Sequence, residues 1–205
     1  MAKIPKSKRA RGWRYAALFR LSEELAAATE KEEISASIVE GLHDTLGYDF
    51  VALFYLEERT GNRVLAGSTG FKTPKTPLLP GDGLSEQPIL DGKLQYRPDV
   101  TKAPKYTYGV GGSEVDVPIW VGGKVRGVIV TESQKLDDFD EEDFEVLTAA
   151  ANIIGLALDK ADLLNATRRR AEELEALRTT MTEVTAELEL PVLLKAIVER
   201  AADLL

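Results

Sequence analysis

The sequence predicts an α+β fold built on a central antiparallel sheet with a layer of helices on one face. The main evidence is the stretch 114–133, where two runs rich in Val and Ile flank Gly122-Gly123, a pair suited to a two-residue hairpin turn. The second run, 125–130, is apolar at most positions, which is typical of a central strand covered on both faces. Amphipathic helical patterns before and after the strands predict the helices that cover one face of the sheet. The function depends on what covers the other face.

The turn at Gly122-Gly123 also predicts which side chains share a face. If Val121 faces Lys124, then Ile119 faces Arg126, and side chains alternate between the two faces from there. One predicted face is apolar and carries Val115, Val117, Ile119, Val128 and Val130. The opposite predicted face carries Asp116, Pro118, Trp120, Val125, Gly127, Ile129 and Thr131. Glu114 and Glu132 lie nearer the strand ends and are expected in solvent.

Two helices are predicted before the first strand. Apolar residues at steps of three and four over 13–28 indicate an amphipathic helix. Thr29 with Glu32 three residues later is the pattern of a capping box that starts a new helix. That second helix carries apolar residues at every fourth position from Ile34 and ends at Gly47, a natural C-cap.

The next segments predict two strands and a long irregular stretch. The run 49–56 and its partner 63–69 read as strands. Prolines and glycines interrupt 70–112, with room for a short helix over 84–90 and a short strand over 94–97. So long an irregular stretch in a compact domain indicates a function such as capping a binding site.

The polar and aromatic residues of this irregular stretch leave alternatives open. Tyr96, Tyr106 and Tyr108 either fill a second small core or contact a ligand. The glycine-rich run 109–112 is either a phosphate-binding nest or a flexible loop. Asp116 either binds a cationic or hydroxyl-bearing ligand or sits in water at the sheet edge.

The C-terminal third predicts a long helix. The acidic run 137–143 suits the positive end of a helix dipole. No Pro or Gly follows between 158 and 190, and a heptad frame places Leu163, Leu174 and Leu177 on one seam. A surface helix explains the first half equally well, whereas beyond about residue 160 a coiled coil is favoured.

An internal repeat is predicted at the C-terminus. The pattern that begins at Thr29 recurs 156 residues later, at Thr185, with apolar residues at matching positions. We therefore expect residues 188–205 to be the opening helix of a second copy of the same domain.

Composition excludes several classes of function. A net charge of -8 argues against nucleic acid as a partner. The absence of cysteine excludes disulfides, thiolate nucleophiles and Cys-ligated metals, and one histidine excludes multi-His metal sites. No apolar stretch approaches the roughly 20 residues that span a bilayer, and no signal peptide is evident. The chain is therefore expected to be cytoplasmic, with no membrane association.

Taken together, these stretches resemble the GAF domain family. The resemblance is carried by L-S-E-E-L…T-E-K-E-E-I at 21–34, Y-R-P-D-V at 96–100, S-E-V-D-V-P-I at 113–119, G-G-K-V-R-G-V-I-V-T-E-S at 122–133 and F-D-E-E-D at 139–143. It implies a GAF-like sheet with the terminal helices on one face and a small-molecule pocket on the other, flanked by long signalling helices. It also implies a regulatory input module, commonly a homodimer.

The resemblance also narrows the expected chemistry. Bilin-binding members attach the chromophore through cysteine, and members that reduce free methionine sulfoxide need cysteines, so neither activity is expected. No nucleophile–base constellation is evident, and the chain is expected not to be an enzyme, with no catalytic or metal site. The ligand and any cofactor stay unknown. The residues predicted to contact a ligand are Tyr96, Asp99, Tyr106, Tyr108, Asp116, Pro118 and Ile129.

The predicted organisation has four parts. Residues 1–29 form a basic segment and signalling helix, 30–160 the GAF-like domain, 161–187 a coiled-coil linker and 188–205 the truncated second copy. The predicted function is a small-molecule sensor that signals through coiled-coil helices to a downstream output domain, as a homodimer joined through its N- and C-terminal helices. The alternative is a structural dimerisation module with no ligand.

Overall fold

The computed structural model describes residues 11–72, 75–106 and 109–202, and its centre is a five-stranded antiparallel sheet. The strands are β1 (Phe50–Leu56), β2 (Arg63–Thr69), β3 (Gln95–Arg97), β4 (Ser113–Val121) and β5 (Lys124–Ser133). Their order across the sheet is β2-β1-β5-β4-β3, so β5 is the central strand, as its apolar sequence predicted. The predicted α+β class is confirmed.

Four α-helices accompany the sheet in the described residues. They are α1 (Arg11–Ala27), α2 (Lys31–Glu40), α3 (Glu86–Asp91) and α4 (Glu141–Ala202). A π-helical turn, Gly41–Thr45, extends α2, and a 3₁₀ turn, Val100–Lys102, lies between β3 and β4. The residues fall into two compact units, one up to Ala161 and one from Asp162 onward.

The larger core lies between the sheet and its helices. Val117 and Ile119 on β4 and Ile129 on β5 are buried there with apolar residues of α1, α2 and the first part of α4. The contact is close enough to require a glycine in α4, because a Cβ at Gly155 would overlap the backbone carbonyl of Trp120. Burial of this size is the main source of the domain's stability.

The hairpin register differs from the prediction by one residue. Val121 faces Lys124 as expected, but a β-bulge between Ile119 and Trp120 then shifts the pairing, so that Ile119 faces Gly127. A bulge inserts an extra residue in one strand, and a shift of one residue moves side chains to the other face. The actual helix-facing set is Val115, Val117, Ile119, Ile129 and Thr131, whereas Val128 and Val130 lie on the other side with Asp116 and Pro118.

The second face of the sheet carries a smaller apolar cluster. Its buried members are Ala52, Phe54, Leu78, Val128 and Val130. Leu78 reaches it through an isolated bridge to Arg63 at the sheet edge. The irregular segment after β2 therefore folds back over this face and only partly fills it.

The second unit, described by itself, is helical from 162 to 202. Large apolar side chains at predicted seam positions are exposed there, namely Leu163, Leu174, Leu177, Met181 and Val184. The helix runs through Thr185 without the interruption that separates α1 from α2. The coiled coil, the domain division and the second copy remain predictions. None of the helices described has the length and apolar character needed to cross a membrane.

Candidate functional site

A cavity of about 540 Å³ lies between the second sheet face and the irregular segment. Its floor is formed by side chains of the central strands, with Ala52 and Phe54 from β1 and Val130 from β5. Two carboxylic side chains, Glu114 and Glu132, stand at one end of this floor. The remaining contacts include Phe50, Phe71, Leu78, Leu84, Tyr106 and Val110. Lys72, Lys75, Ser85 and Gln134 also line the cavity, which therefore combines apolar side chains with polar groups of both charges.

Glu132 is held in place by the segment that precedes β4. The Tyr106 hydroxyl donates a hydrogen bond of 3.0 Å to Glu132 Oε2, and the Val110 N–H donates one of 2.7 Å to the same oxygen. The Gly111 N–H in turn donates to the Tyr106 hydroxyl at 2.7 Å. The loop therefore binds a carboxylate of its own chain, which settles neither prediction made for it but explains its backbone geometry.

Gly109 is required by this arrangement. Its φ is 152°, and a Cβ there would overlap both the Tyr106 hydroxyl and the Glu132 carboxylate. The glycine-rich run thus permits a close approach of backbone to carboxylate. Among the described residues no group of three or more His, Cys, Asp or Glu is arranged to hold a metal ion.

Glu114 and Asp116 are two further buried acidic residues beside Glu132. In the β4–β5 ladder Glu114 lies directly opposite Glu132, and Asp116 lies opposite Val130. The carboxyl groups of Glu114 and Asp116 lie two residues apart on one face of β4, where each affects the ionisation of the other. Asp116 Oδ1 is buried and accepts no hydrogen bond from the described residues.

Burial raises the pKa of all three carboxyl groups. It raises the pKa of Asp116 to about 7 and that of Glu132 to about 7, and the pKa of Glu114 lies well above its usual range. The negative charges of Asp116 and Glu132 reinforce the effect on Glu114. Carboxyl groups that titrate near neutral pH can donate or accept a proton, so the site has acid–base capacity as well as capacity for a cation.

The structure separates the residues predicted to contact a ligand. Tyr106 lines the cavity, and Asp116 lies beneath its acidic end on the same face of β4 as Glu114. Pro118 is buried further along that face and is not among the residues that line the cavity. Tyr108 lies outside the described residues.

The other three predicted residues lie elsewhere. Ile129 is on the helix-facing side in the larger core, because the bulge moved it there. The Tyr96 hydroxyl donates to Asp137 at 2.6 Å, and Asp99 accepts from the Thr101 N–H at the start of the 3₁₀ turn. These two residues hold loops together at a distance from the cavity.

The expectation that Glu114 and Glu132 sit in solvent was wrong. They are 4% and 3% exposed, because Tyr106, Val110 and Gly111 pack at the ends of β4 and β5. The aromatic wall of Phe50, Phe54 and Phe71 was also missed as a site. The signal available in the sequence was Phe50 and Phe54 at a spacing of four on one strand face, with a glutamate near the start of the first hairpin strand and another near the end of the second.

Comparisons with known proteins agree with the fold. The family model described as GAF domain matches residues 30–158. A curated relative, GAF domain-containing protein A of Dictyostelium discoideum, is 28% identical over 121 residues, which cover 58% of this chain and 75% of the relative.

Two solved structures illustrate the range of proteins with this fold. A free methionine-R-sulfoxide reductase from Neisseria meningitidis, in complex with its substrate, has a TM-score of 0.71 at 22% identity, covering 80% of this chain and 98% of that one. The GAF domain of a phosphoenolpyruvate-protein phosphotransferase from Coxiella burnetii has a TM-score of 0.69 at 20% identity, covering 77% and 99%. At these identities the likeness concerns the fold alone.

The prediction that this chain is not an enzyme is contradicted by these comparisons. Several matched structures are free methionine-R-sulfoxide reductases, which are enzymes on this fold, and one from Thermoplasma acidophilum is 27% identical. The prediction looked for a nucleophile with its base and found no cysteine. It passed over buried carboxyl groups whose pKa values lie near neutral pH, which are themselves acid–base groups.

Proposed function

The chain belongs to the GAF domain family, a common signalling and sensory module, and we propose that it binds a small molecule in the cavity over the second sheet face. The bound state is passed through the flanking helices to a downstream output domain, such as a sensor kinase or a cyclase. The observation that carries this proposal is the cavity itself, with an apolar wall and buried carboxyl groups gathered at one end.

The segment that covers the cavity supports a ligand in that place. Between β2 and β4 the described chain contains only α3, β3 and a 3₁₀ turn, and side chains from this stretch reach the cavity at Leu78, Leu84 and Tyr106. An irregular stretch of this length is uncommon in a compact domain unless it serves a site. Related reductases are named for a metabolite-sized substrate, free methionine-R-sulfoxide, and we infer a ligand of similar size here.

The packing of the sheet would couple ligand binding at the cavity to the helices on the opposite face. Asp116 beneath the cavity and Val117 in the helix-side core are neighbours on β4, and Trp120 further along that strand touches α4 at Gly155. A ligand that binds one arrangement of β4 better than another thereby biases the position of α4. No further contact is needed to couple the two faces of one strand.

A homodimer through the terminal helices completes the proposal. Phe19 on α1 is 64% exposed, and the second unit exposes leucines at 163, 174 and 177 on the predicted seam. Apolar side chains at heptad spacing are stabilised when a second helix covers them.

Native mass spectrometry of the purified chain tests the ligand. We expect a bound small molecule that is released on denaturation and absent from Ala52→Leu, which adds three carbons to the cavity floor. Ala36→Leu makes the same change at an exposed position of α2 and serves as the matched control. The variant should fold, because its added volume enters an existing space.

The alternative, a dimerisation module without a ligand, predicts a different result. In that case no molecule is released from the wild-type chain, and Ala52→Leu is more stable than wild type because it fills a space that nothing else occupies. Light scattering on the same samples measures the mass of the particle. A monomer at high concentration contradicts the coiled-coil part of the proposal.

A further inference from the structure

The acidic end of the cavity has negative groups without positive partners. Glu114, Asp116 and Glu132 are 4%, 1% and 3% exposed, and none of them forms a salt bridge with a lysine or arginine of the described chain. Buried carboxylates are normally paired with a cation, because burial in a medium of low dielectric penalises an isolated charge.

The nearest arginines already have other partners. The Arg63 guanidinium donates to Ser85 Oγ and to the backbone carbonyls of Leu79 and Asp82. Arg97 donates to the side chain of Gln95 and to a backbone carbonyl on its own strand. Arg97 lies opposite Glu114 in the β3–β4 ladder, and its positive charge acts to lower the pKa of both Glu114 and Asp116, as the charge of Arg63 does for Asp116. Neither arginine forms a salt bridge with these carboxyl groups in the described part of the chain.

The acidic end also has hydrogen-bond acceptors without donors. Glu132 Oε2 receives two hydrogen bonds from the covering loop, whereas its Oε1 receives none from the described residues. Asp116 Oδ1, on the same sheet face, is buried without a donor. Native proteins leave few buried acceptors unsatisfied, because such an atom has lost its hydrogen bonds to water without replacement.

The rest of the cavity is suited to an apolar group. Phe50, Phe54 and Phe71 face the space together with Leu78 and Val130. An occupant that matches these groups carries hydrogen-bond donors and positive charge beside the carboxyl groups and a hydrocarbon or aromatic body against the phenylalanines.

Resting on the proposed function, we propose that the ligand is a protonated organic amine with an apolar body, its ammonium group bound by Glu132 and Glu114. An ammonium group has three N–H donors and no acceptor, which fits a set of carboxylate oxygens that lack donors. Anionic ligands, including phosphate esters, are disfavoured at this end by the same carboxylates.

The protonation of these carboxyl groups is consistent with this ligand. Burial raises the pKa of Glu132 and of Asp116 to about 7, so that near neutral pH these groups hold protons part of the time. A bound ammonium group supplies both the donors and the charge that those protons otherwise supply. No covalent step is involved.

Calorimetry with four probes that share a phenyl body tests the inference. They are 2-phenylethylammonium, its neutral analogue 2-phenylethanol, the anion phenylacetate and the zwitterion L-phenylalanine. We expect the ammonium probe to bind about tenfold or more tighter than the alcohol, as charge-assisted hydrogen bonds imply, and phenylacetate not to bind. L-Phenylalanine tests an amine that also bears a carboxylate, for which Lys72 at the cavity is a partner.

Variants locate the binding. Glu132→Gln keeps the shape and the acceptor oxygen but removes the charge, and should weaken the ammonium probe about tenfold. Glu114→Gln is the second variant if the first does not fold, and Glu24→Gln, at an exposed site on α1, is the matched control. Binding by either ammonium-bearing probe that both carboxylate variants weaken and the control leaves unchanged supports the inference.

Three results overturn it. They are equal or tighter binding of 2-phenylethanol or phenylacetate, no binding of either ammonium-bearing probe, and binding unaffected by both carboxylate variants. In each case the proposed function is judged separately, by whether the purified chain releases a small molecule that Ala52→Leu lacks. A neutral or anionic molecule found in that experiment preserves the sensor and refutes the amine.

Discussion

The two faces of the hairpin β4–β5 have opposite chemistry although they alternate along the same residues. On the helix side Val115, Val117 and Ile119 pack into a continuous apolar core. On the cavity side their immediate neighbours Glu114 and Asp116 are buried just as deeply but are ionisable. Burial is therefore similar on the two faces, whereas its effect on the free energy of folding is opposite.

This contrast separates the residues that stabilise the domain from those that give it a site. Burial of the helix-side residues stabilises the folded state. Burial of the cavity-side carboxyl groups destabilises the folded state unless they bind a proton or a cation, and the domain retains them in spite of that cost. Groups that are unfavourable for folding and gathered at a cavity are a stronger indication of function than any sequence motif in this chain.

The largest effect is expected from a matched pair of truncations on the two faces. Val117→Ala deletes two methyl groups from the closed helix-side core and should lower the free energy of unfolding by about 2 to 3 kcal/mol. Val130→Ala makes the same deletion beside the cavity and should cost about 1 kcal/mol, because the wall there already borders a space. Urea unfolding measures both, and equal losses would show that the cavity is closed in solution.

A neutral substitution at Asp116 should stabilise the domain in alkaline solution. The folded-state pKa of about 7 lies above the ordinary value of 3.8, because burial disfavours the charged form, opposed in part by the charges of Arg97 and Arg63. A raised carboxyl pKa contributes stability that is complete below pH 4 and is lost as pH rises through 7. Asp116→Asn, which cannot ionise, should therefore be about 1 to 2 kcal/mol more stable than wild type at pH 8 and should change little at pH 5.

Thermal unfolding of both proteins from pH 5 to pH 8 measures this difference. Glu114 and Glu132 face the same site and keep part of the pH dependence in the variant. A wild-type stability that rises between pH 5 and pH 7 in parallel with that of Asp116→Asn would contradict the assignment of a raised pKa. Asp44→Asn, at an exposed site, is the control.

The smallest effect is expected from the hydroxyl that holds Glu132. Tyr106→Phe removes the donor to Glu132 and the acceptor for the Gly111 N–H, and should cost about 1 kcal/mol. The lost donor stabilised the ionised form, so the pKa of Glu132 should rise further, as carboxyl carbon NMR can measure. Tyr15→Phe removes an exposed hydrogen bond to Glu145 and should leave both quantities unchanged, whereas similar effects of the two variants would refute a special role for Tyr106.

Most of the fold was predictable because its local signals agree with its packing. Strand β2 was predicted with its actual ends, and the break between α1 and α2 was predicted in the right place. The predicted capping box of Thr29 and Glu32 does not form, because the N-cap is Glu30 and it is Glu33 that accepts from the Thr29 N–H. The hairpin turn was recognised from Gly122-Gly123, both of which have positive φ. These features depend on a few neighbouring residues, so the sequence alone expresses them.

The site was less predictable because it depends on contacts between distant segments. Glu132 is buried by Tyr106 and Val110, more than 20 residues earlier in the chain, and no local pattern announces such a contact. Ile129 was misplaced because Arg126, the extra residue of the bulge opposite Ile119 and Trp120, has no distinctive sequence. The acidic character of the site was visible only as two glutamates at strand ends, where solvent exposure is the usual outcome.

The bulge at Ile119 has a consequence for anyone who aligns relatives of this chain. On the side of the bulge away from the turn, odd-numbered residues of β4 pair with odd-numbered residues of β5. On the turn side, odd-numbered residues pair with even-numbered ones. A relative with the same number of residues that paired this hairpin without the bulge would turn the counterpart of Ile129 towards the cavity and the counterpart of Val130 towards the helices. Ligand preferences inferred by matching columns across the bulge therefore compare opposite sides of the sheet.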